Sequence, residues 1–135
     1  DAMRTGNPEL LLIDIREADE YAAGHIAESL LVPRGLLEAA CDWGYAETIP
    51  TLVLARAQPV VLVCRSGNRS ALAALGMLQM GYQQVFSMKT GMRGWNDYDL
   101  PLINAQGDPV DPDWAENSLN PPVLLAQMAP KASNQ

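Results

Sequence analysis

The sequence predicts an α/β protein, a three-layer sandwich with a mainly parallel central sheet flanked by helices. Two observations carry this expectation. The short continuous apolar runs Leu10-Leu11-Leu12-Ile13-Asp14 and Val60-Val61-Leu62-Val63 suit strands buried on both faces. Helix-forming segments bounded by Gly or Pro lie between and after them, and such alternation marks parallel sheets. A chain of 135 residues is one ordinary domain, long enough to bury a core without disulfide or metal staples. No apolar run approaches the roughly 18 residues of a membrane helix.

Taken in order, Leu10–Asp14 is the first strand. Glu17 to Ala23 is a short helix, with Gly24 placed as its C-cap. Leu30-Leu31-Val32 is a second strand, ended by Pro33, and Leu36 to Cys41 is helical. Thr51 to Arg56 is compatible with helix or strand. Pro59 introduces Val60–Val63, the clearest buried strand. Ser70 to Met80, rich in Ala, Leu and Met, is the clearest helix, closed by Gly81. Val85-Phe86-Ser87 is a further strand, and Gly94-Trp95-Asn96 opens a last short helix. Ala2-Met3-Arg4 before Thr5-Gly6-Asn7-Pro8 is expected to be the last turn of a helix. A chain beginning at Asp1 is expected to be processed or cut from a longer one.

The net charge is −7, which argues against a general nucleic-acid binder. It is unevenly spread. Residues 1–96 hold ten acidic and eight basic side chains, whereas residues 97–135 hold six acidic side chains and only Lys131 as a base. Six of the ten prolines fall after residue 100. Proline removes backbone donors and interrupts helix and central strand. Residues 1–103 are therefore expected to form the domain. Residues 104–135 are expected to be an acidic tail, extended on the surface or disordered, in which Val123–Met128 can form one helical turn and the last residues fray.

The chemistry is concentrated in Cys64-Arg65-Ser66-Gly67-Asn68-Arg69-Ser70. Cys64 ends a buried strand and precedes a helix N-terminus, where unpaired N–H groups and partial positive charge collect. Gly67 lets the loop curl so that several N–H groups converge on one point. Arg65 and Arg69 add two full charges in a loop without a carboxylate. All of this favours thiolate over thiol, and the thiolate is the nucleophile. A Cys after four apolar residues also fits a small buried hydrophobe. The polar, basic stretch behind it favours a nucleophile that attacks small anions.

This loop resembles, nearly residue for residue, the active-site loop of the rhodanese-like sulfurtransferases. The resemblance extends upstream to Leu12-Ile13-Asp14-Ile15-Arg16, Glu20-Tyr21 and Gly24-His25-Ile26. Downstream it takes in Gly81-Tyr82, Val85 and Gly91-Met92-Arg93-Gly94-Trp95, so that it covers residues 10–102 in the family's order. Ala27-Glu28-Ser29, Thr90-Gly91 and Asp99 depart from the family's usual turns. The segment 41–57 is longer than in a minimal member, and the family's usual first strand is expected to be absent from residues 1–103.

The resemblance implies the rhodanese-like form of the sandwich and a two-step sulfur transfer. Cys64 takes the outer sulfur of an anionic donor such as thiosulfate, carries it as a persulfide, and passes it to cyanide, a thiol or a protein cysteine. It implies backbone amides of residues 65–70 around the persulfide, Arg65 and Arg69 guiding the donor, and side-chain hydrogen bonds from Ser66, Asn68 and Ser70. Ser70 equally suits a helix N-cap. Neither metal nor organic cofactor is implied. Asp14 is expected to fix backbone near the loop, and Arg16 to pair with a carboxylate such as Glu20. Met88, Lys89 and Met92 are expected on the pocket rim. His25 is expected to hydrogen-bond locally, and Trp43, Trp95 and Trp114 to pack. Cys41 is either a packed thiol or a partner of Cys64 in a disulfide or sulfur relay. A non-catalytic interaction module and a Cys-dependent phosphatase of related fold are the alternatives. The phosphatase loop has five residues between Cys and Arg, against four from Cys64 to Arg69. A nucleophile kept reduced suits the cytoplasm.

Overall fold

The computed structural model describes residues 9–130. The expected helical turn at Ala2–Arg4 and the fraying of Lys131–Gln135 lie outside them. Four strands, β1 (Leu11–Asp14), β2 (Leu30–Leu31), β3 (Pro59–Val63) and β4 (Gln84–Ser87), form one sheet in the order β2-β1-β3-β4. Every pairing is parallel, with Asp14 opposite Val63 and Leu62 opposite Ser87. Pro59 opens β3, the position in a strand where a missing N–H costs least.

Among the described residues six α-helices accompany the sheet: α1 (Ala18–Ala23), α2 (Leu37–Ala40), α3 (Pro50–Val53), α4 (Asn68–Gln79), α5 (Gly91–Asp97) and α6 (Pro112–Leu119). The ambiguous segment around Thr51 is thus helical, with Pro50 in its first turn, where its fixed φ is pre-organised. Gly24 is the C-cap of α1, as expected, in an extended conformation with φ 174°.

Alternate strand residues face opposite ways, and this splits the core in two. Ile13, Ile15, Val60 and Leu62 pack with Leu37, Leu52 and Met77 on one side. Leu12, Val61 and Val63 pack with Met92, Trp95 and Leu102 on the other. The second core also contains Ala115 and Leu119 of α6. The expectation of an extended or disordered segment is therefore overturned for residues 112–119. Pro112 sits in the first turn of α6 and Asp113 beside it, so both act as start signals. Ala115 and Leu119, four apart, then share one buried face. Asn96 Nδ2 donates to the Pro112 carbonyl at 3.0 Å, and Arg93 Nε to the Leu119 carbonyl at 2.9 Å. Beyond α6, Leu125–Gln127 forms the single expected turn, and it is exposed.

The topology fixes where a site belongs. From β1 the chain moves outward to β2; from β3 it moves the other way to β4. The crevice between β1 and β3 is a topological switch point, and ligands of open α/β sheets bind at the carboxyl ends of the strands there. Cys64 is the first residue beyond β3.

Candidate active site

The loop between β3 and α4 wraps around the Cys64 sulfur. The N–H groups of Gly67 and Ser70 point at Sγ at 3.1 and 3.3 Å, and Ser70 Oγ lies 3.4 Å from it. Gly67 is the N-cap of α4 in the left-handed region, with φ +100°. Ser70 is therefore not the cap, and its buried hydroxyl is turned to the sulfur. Ser70 Oγ also lies 2.6 Å from Ser87 Oγ at the end of β4. Burial pushes the Cys64 thiol up, but hydrogen bonds from the Ser70 hydroxyl and the N–H groups of Ser70, Gly67 and Ser66 outweigh it and leave Cys64 below the ordinary thiol value. Cys64 is 1% exposed, so the sulfur is recessed in the loop.

The loop is braced from behind by α5. Met92 and Arg93, in its first turn, donate their N–H groups to the carbonyls of Cys64 and Arg65 at 2.8 and 3.0 Å. Unpaired donors of a helix start are thus spent on the loop. The approach is so close that a Cβ on Gly91 would overlap the Cys64 carbonyl oxygen and come within 2.8 Å of that of Arg65. A Cβ on Gly67 would likewise collide with the Lys89 carbonyl. These contacts revise the expected rim. Met92 is fully buried beneath the loop, Met88 is half-buried, and only Lys89 is exposed.

The two loop arginines differ. Arg69 holds Glu20 of α1 with both terminal nitrogens, each at 3.1 Å. Hydrogen bonding to Glu20 drives the Arg69 pKa up. Burial raises the Glu20 carboxyl, yet Arg69 and the Glu17 N–H bring it below the usual carboxylate value. Arg65 is half-buried, and its Nε is enclosed without a hydrogen-bond partner. Among the described residues, of the loop's two formal charges only that of Arg65 has no carboxylate partner. The side chains of Ser66 and Asn68 make no hydrogen bond to the sulfur; Ser66 contributes its N–H.

Arg16 pairs with a carboxylate, as expected, but with Asp14 rather than Glu20. Its guanidinium binds Asp14 through Nε at 3.0 Å and a terminal nitrogen at 2.8 Å, and reaches the Gly24 carbonyl at 2.7 Å. Both partners are buried, Asp14 at 0% and Arg16 at 1% exposure. Asp14 is buried beside the guanidinium, whereas Glu20 is already held by Arg69. The pair pins the end of β1 beside the loop. His25 stacks on the Tyr21 ring at 3.7 Å and binds the Tyr21 carbonyl through Nδ1 at 2.7 Å, a local role. Cys41 and Cys64 are both free. Burial raises the Cys41 thiol, the opposite of Cys64. Of the tryptophans only Trp95 packs in the core, since Trp43 and Trp114 are more than half exposed.

Sequence reading missed Glu20 as the partner of Arg69, and Ser87. Glu20 offered a weak signal as the residue that caps the Glu17 N–H. Ser87 offered none beyond its place at the carboxyl end of a strand.

Comparisons with known proteins agree with this geometry. The family model described as Rhodanese-like domain matches residues 1–98. The chain is 31% identical over 99 residues to a sulfurtransferase of Allochromatium vinosum, covering 73% of this chain and 83% of that one. It is 32% identical over 96 residues to a putative mitochondrial thiosulfate sulfurtransferase of Schizosaccharomyces pombe, covering 69% and 68%. A solved Rhodopseudomonas palustris protein, described as of unknown function and a possible tyrosine phosphatase, superposes with a TM-score of 0.67 at 29% identity, covering 75% of this chain and 76% of that one. With the match spanning both the sheet and the Cys64 loop, this chain belongs to the rhodanese-like sulfurtransferase family.

Proposed function

We propose that the protein transfers the outer sulfur of a small anionic donor such as thiosulfate to a thiol, a protein cysteine or, in the assay, cyanide. The observation that carries this reading is the convergence of the Gly67 and Ser70 N–H groups and the Ser70 hydroxyl on Cys64 Sγ. The Cys64 thiolate attacks the outer sulfur of the donor, a Cys64–S bond forms, and the donor's S–S bond breaks with its electron pair leaving on sulfite. The acceptor nucleophile then attacks the outer sulfur of the persulfide and the Cys64 thiolate is regenerated. Preorganised N–H donors stabilise negative charge at both stages without having to reorganise. Arg65, with no carboxylate on it among the described residues, draws in the donor anion. The net charge of −7 speaks against nucleic acid as partner. Among the described residues no helix is long and apolar enough to cross a membrane. A reduced nucleophile fits a reducing compartment such as the cytoplasm.

The test is thiosulfate:cyanide transfer by wild type and Cys64→Ser, with intact mass measured after donor treatment. Activity and a gain of one sulfur atom in the wild type alone support the reading. Activity surviving in Cys64→Ser overturns it. A wild type that takes up no sulfur from any donor makes the chain an interaction module. Hydrolysis of an aryl phosphate, lost in Cys64→Ser, makes it a phosphatase. The pairing of Arg69 with Glu20 argues against that outcome, because it occupies the guanidinium a phosphoryl group would need.

A further inference from the structure

Ser87 lies on the edge strand β4, half-buried, opposite Leu62 of β3. Its hydroxyl is 2.6 Å from Ser70 Oγ, which in turn is 3.4 Å from Cys64 Sγ. Counting protons decides what this row of atoms does. Two hydroxyl oxygens this close share one proton between them. Ser70 carries a single proton, and it has three neighbours able to accept it: the sulfur, Ser87 Oγ, and the Gly67 carbonyl at 3.3 Å.

When sulfur is a thiol, it donates to Ser70 Oγ, and Ser70 passes its own proton to Ser87 or to the carbonyl. When sulfur is a thiolate, Ser70 serves it only by donating to it. The short contact is then satisfied only if Ser87 donates to Ser70. Ionisation therefore reverses both hydroxyls together. Among the described residues Ser87 Oγ has no second protein partner, and Ser87, half-buried on the edge strand, is the member of the row nearest to solvent.

We propose that Ser87 is a positioning residue acting through Ser70, the outer link of a two-hydroxyl relay that conducts the Cys64 proton to solvent and then holds the Ser70 hydroxyl on the thiolate. The S–H proton moves to Ser70 Oγ, the Ser70 proton moves to Ser87 Oγ, and the original Ser87 proton passes to water or another solvent base. The electron pair of the S–H bond stays on sulfur. Every atom is returned, and both hydroxyls finish pointing inward. No imidazole is needed, which agrees with the only histidine, His25, being bound to Tyr21.

The charged side chains on the surrounding elements are Arg65 and Arg69 on the loop, Glu20 paired to Arg69, the Asp14–Arg16 pair at the end of β1, Lys89 after β4, and on α5 Asp97 and Arg93, whose Nε is held by the Leu119 carbonyl. None of them hydrogen-bonds Sγ, so the hydroxyl pair is the side-chain route by which the sulfur meets solvent. The relay rests on Cys64 being the nucleophile, yet it can be tested without any sulfur transfer.

The experiment is a pH titration of thiolate ultraviolet absorbance for wild type, Ser87→Ala and Ser87→Thr, with Cys64→Ser subtracted as background and near-ultraviolet circular dichroism confirming the fold. Ser87→Ala should move the Cys64 midpoint upward by about half a pH unit, a fraction of what a direct hydrogen bond to a charged group is worth. Ser87→Thr, which keeps the hydroxyl, should titrate with the wild type. Coincident midpoints for Ser87→Ala and wild type overturn the relay. Equal upward shifts in the Ala and Thr variants also overturn it, because packing rather than the hydroxyl is then responsible. A wild type with the expected titration but no sulfur transfer defeats the proposed function and leaves the relay standing.

Discussion

Replacing Gly67 by Ala tests how far the backbone, rather than any side chain, makes Cys64 reactive. Gly67 has φ +100°, and an added Cβ would collide with the Lys89 carbonyl oxygen and stand 3.3 Å from that of Met88. Both obstacles are main chain, held by the Met88 N–H bond to Leu62 at 2.9 Å, so neither can swing away. An L-residue in the left-handed region costs about 1–2 kcal/mol, and in a chain of this size that lowers the melting temperature by roughly 4–8 °C. The turn must also open to relieve the collision. Its opening withdraws the Gly67 N–H, now 3.1 Å from Sγ. A hydrogen bond to a charged group is worth about 1.5–3 kcal/mol, which corresponds to roughly one to two pH units on the thiol. Gly67→Ala should therefore melt earlier, titrate Cys64 above the wild type, and transfer sulfur slowly at neutral pH. Iodoacetamide alkylation followed against pH reads the midpoint directly. A folded variant whose alkylation midpoint coincides with the wild type would refute the claim that this turn sets the thiolate.

Further outcomes follow from other contacts. Asp14→Asn leaves the buried Arg16 guanidinium without its counter-charge, and urea unfolding should show a loss of about 3–5 kcal/mol. The Glu20 carboxyl is held below its usual 4.5. Its pairing with Arg69 is therefore intact above that pH and lost as pH falls through the lower folded value. The stability difference between wild type and Glu20→Gln should be constant from neutral pH down to about pH 5 and vanish at lower pH. Leu119→Ala should cost about 2–4 kcal/mol in a thermal melt, whereas a detached tail would give no change.

The parts of the molecule that were legible in the sequence are those whose cause is local. Val60–Val63 is apolar without interruption, Gly67 follows at once, and the Ala- and Leu-rich stretch behind it has one strong preference. Strand, turn and helix follow from those residues alone, and they carry Cys64 with them. The parts that were not legible depend on partners brought together by the fold. Arg69 and Glu20 are separated by 49 positions, so no spacing rule links them. Arg16 has carboxylates at two and at four residues' distance, and only burial selects Asp14. Ser87 meets Ser70 across the β3–β4 crossover. The last error had a different origin. Pro112 carries the same side chain whether it ends a segment or begins one, and Leu119 on a buried face is what decides that α6 exists.

The sulfur takes its hydrogen bonds mainly from peptide N–H groups, and a peptide N–H belongs to the fold rather than to any particular side chain. Ser66 and Asn68 can exchange their side chains without touching those donors, and Arg65 can do so without touching the ion pair at Arg69. Under the proposed sulfur transfer, reactivity and choice of donor sit in separate parts of the same seven residues, and substitutions at positions 65, 66 and 68 are expected to change the donor while the nucleophile stays as it is.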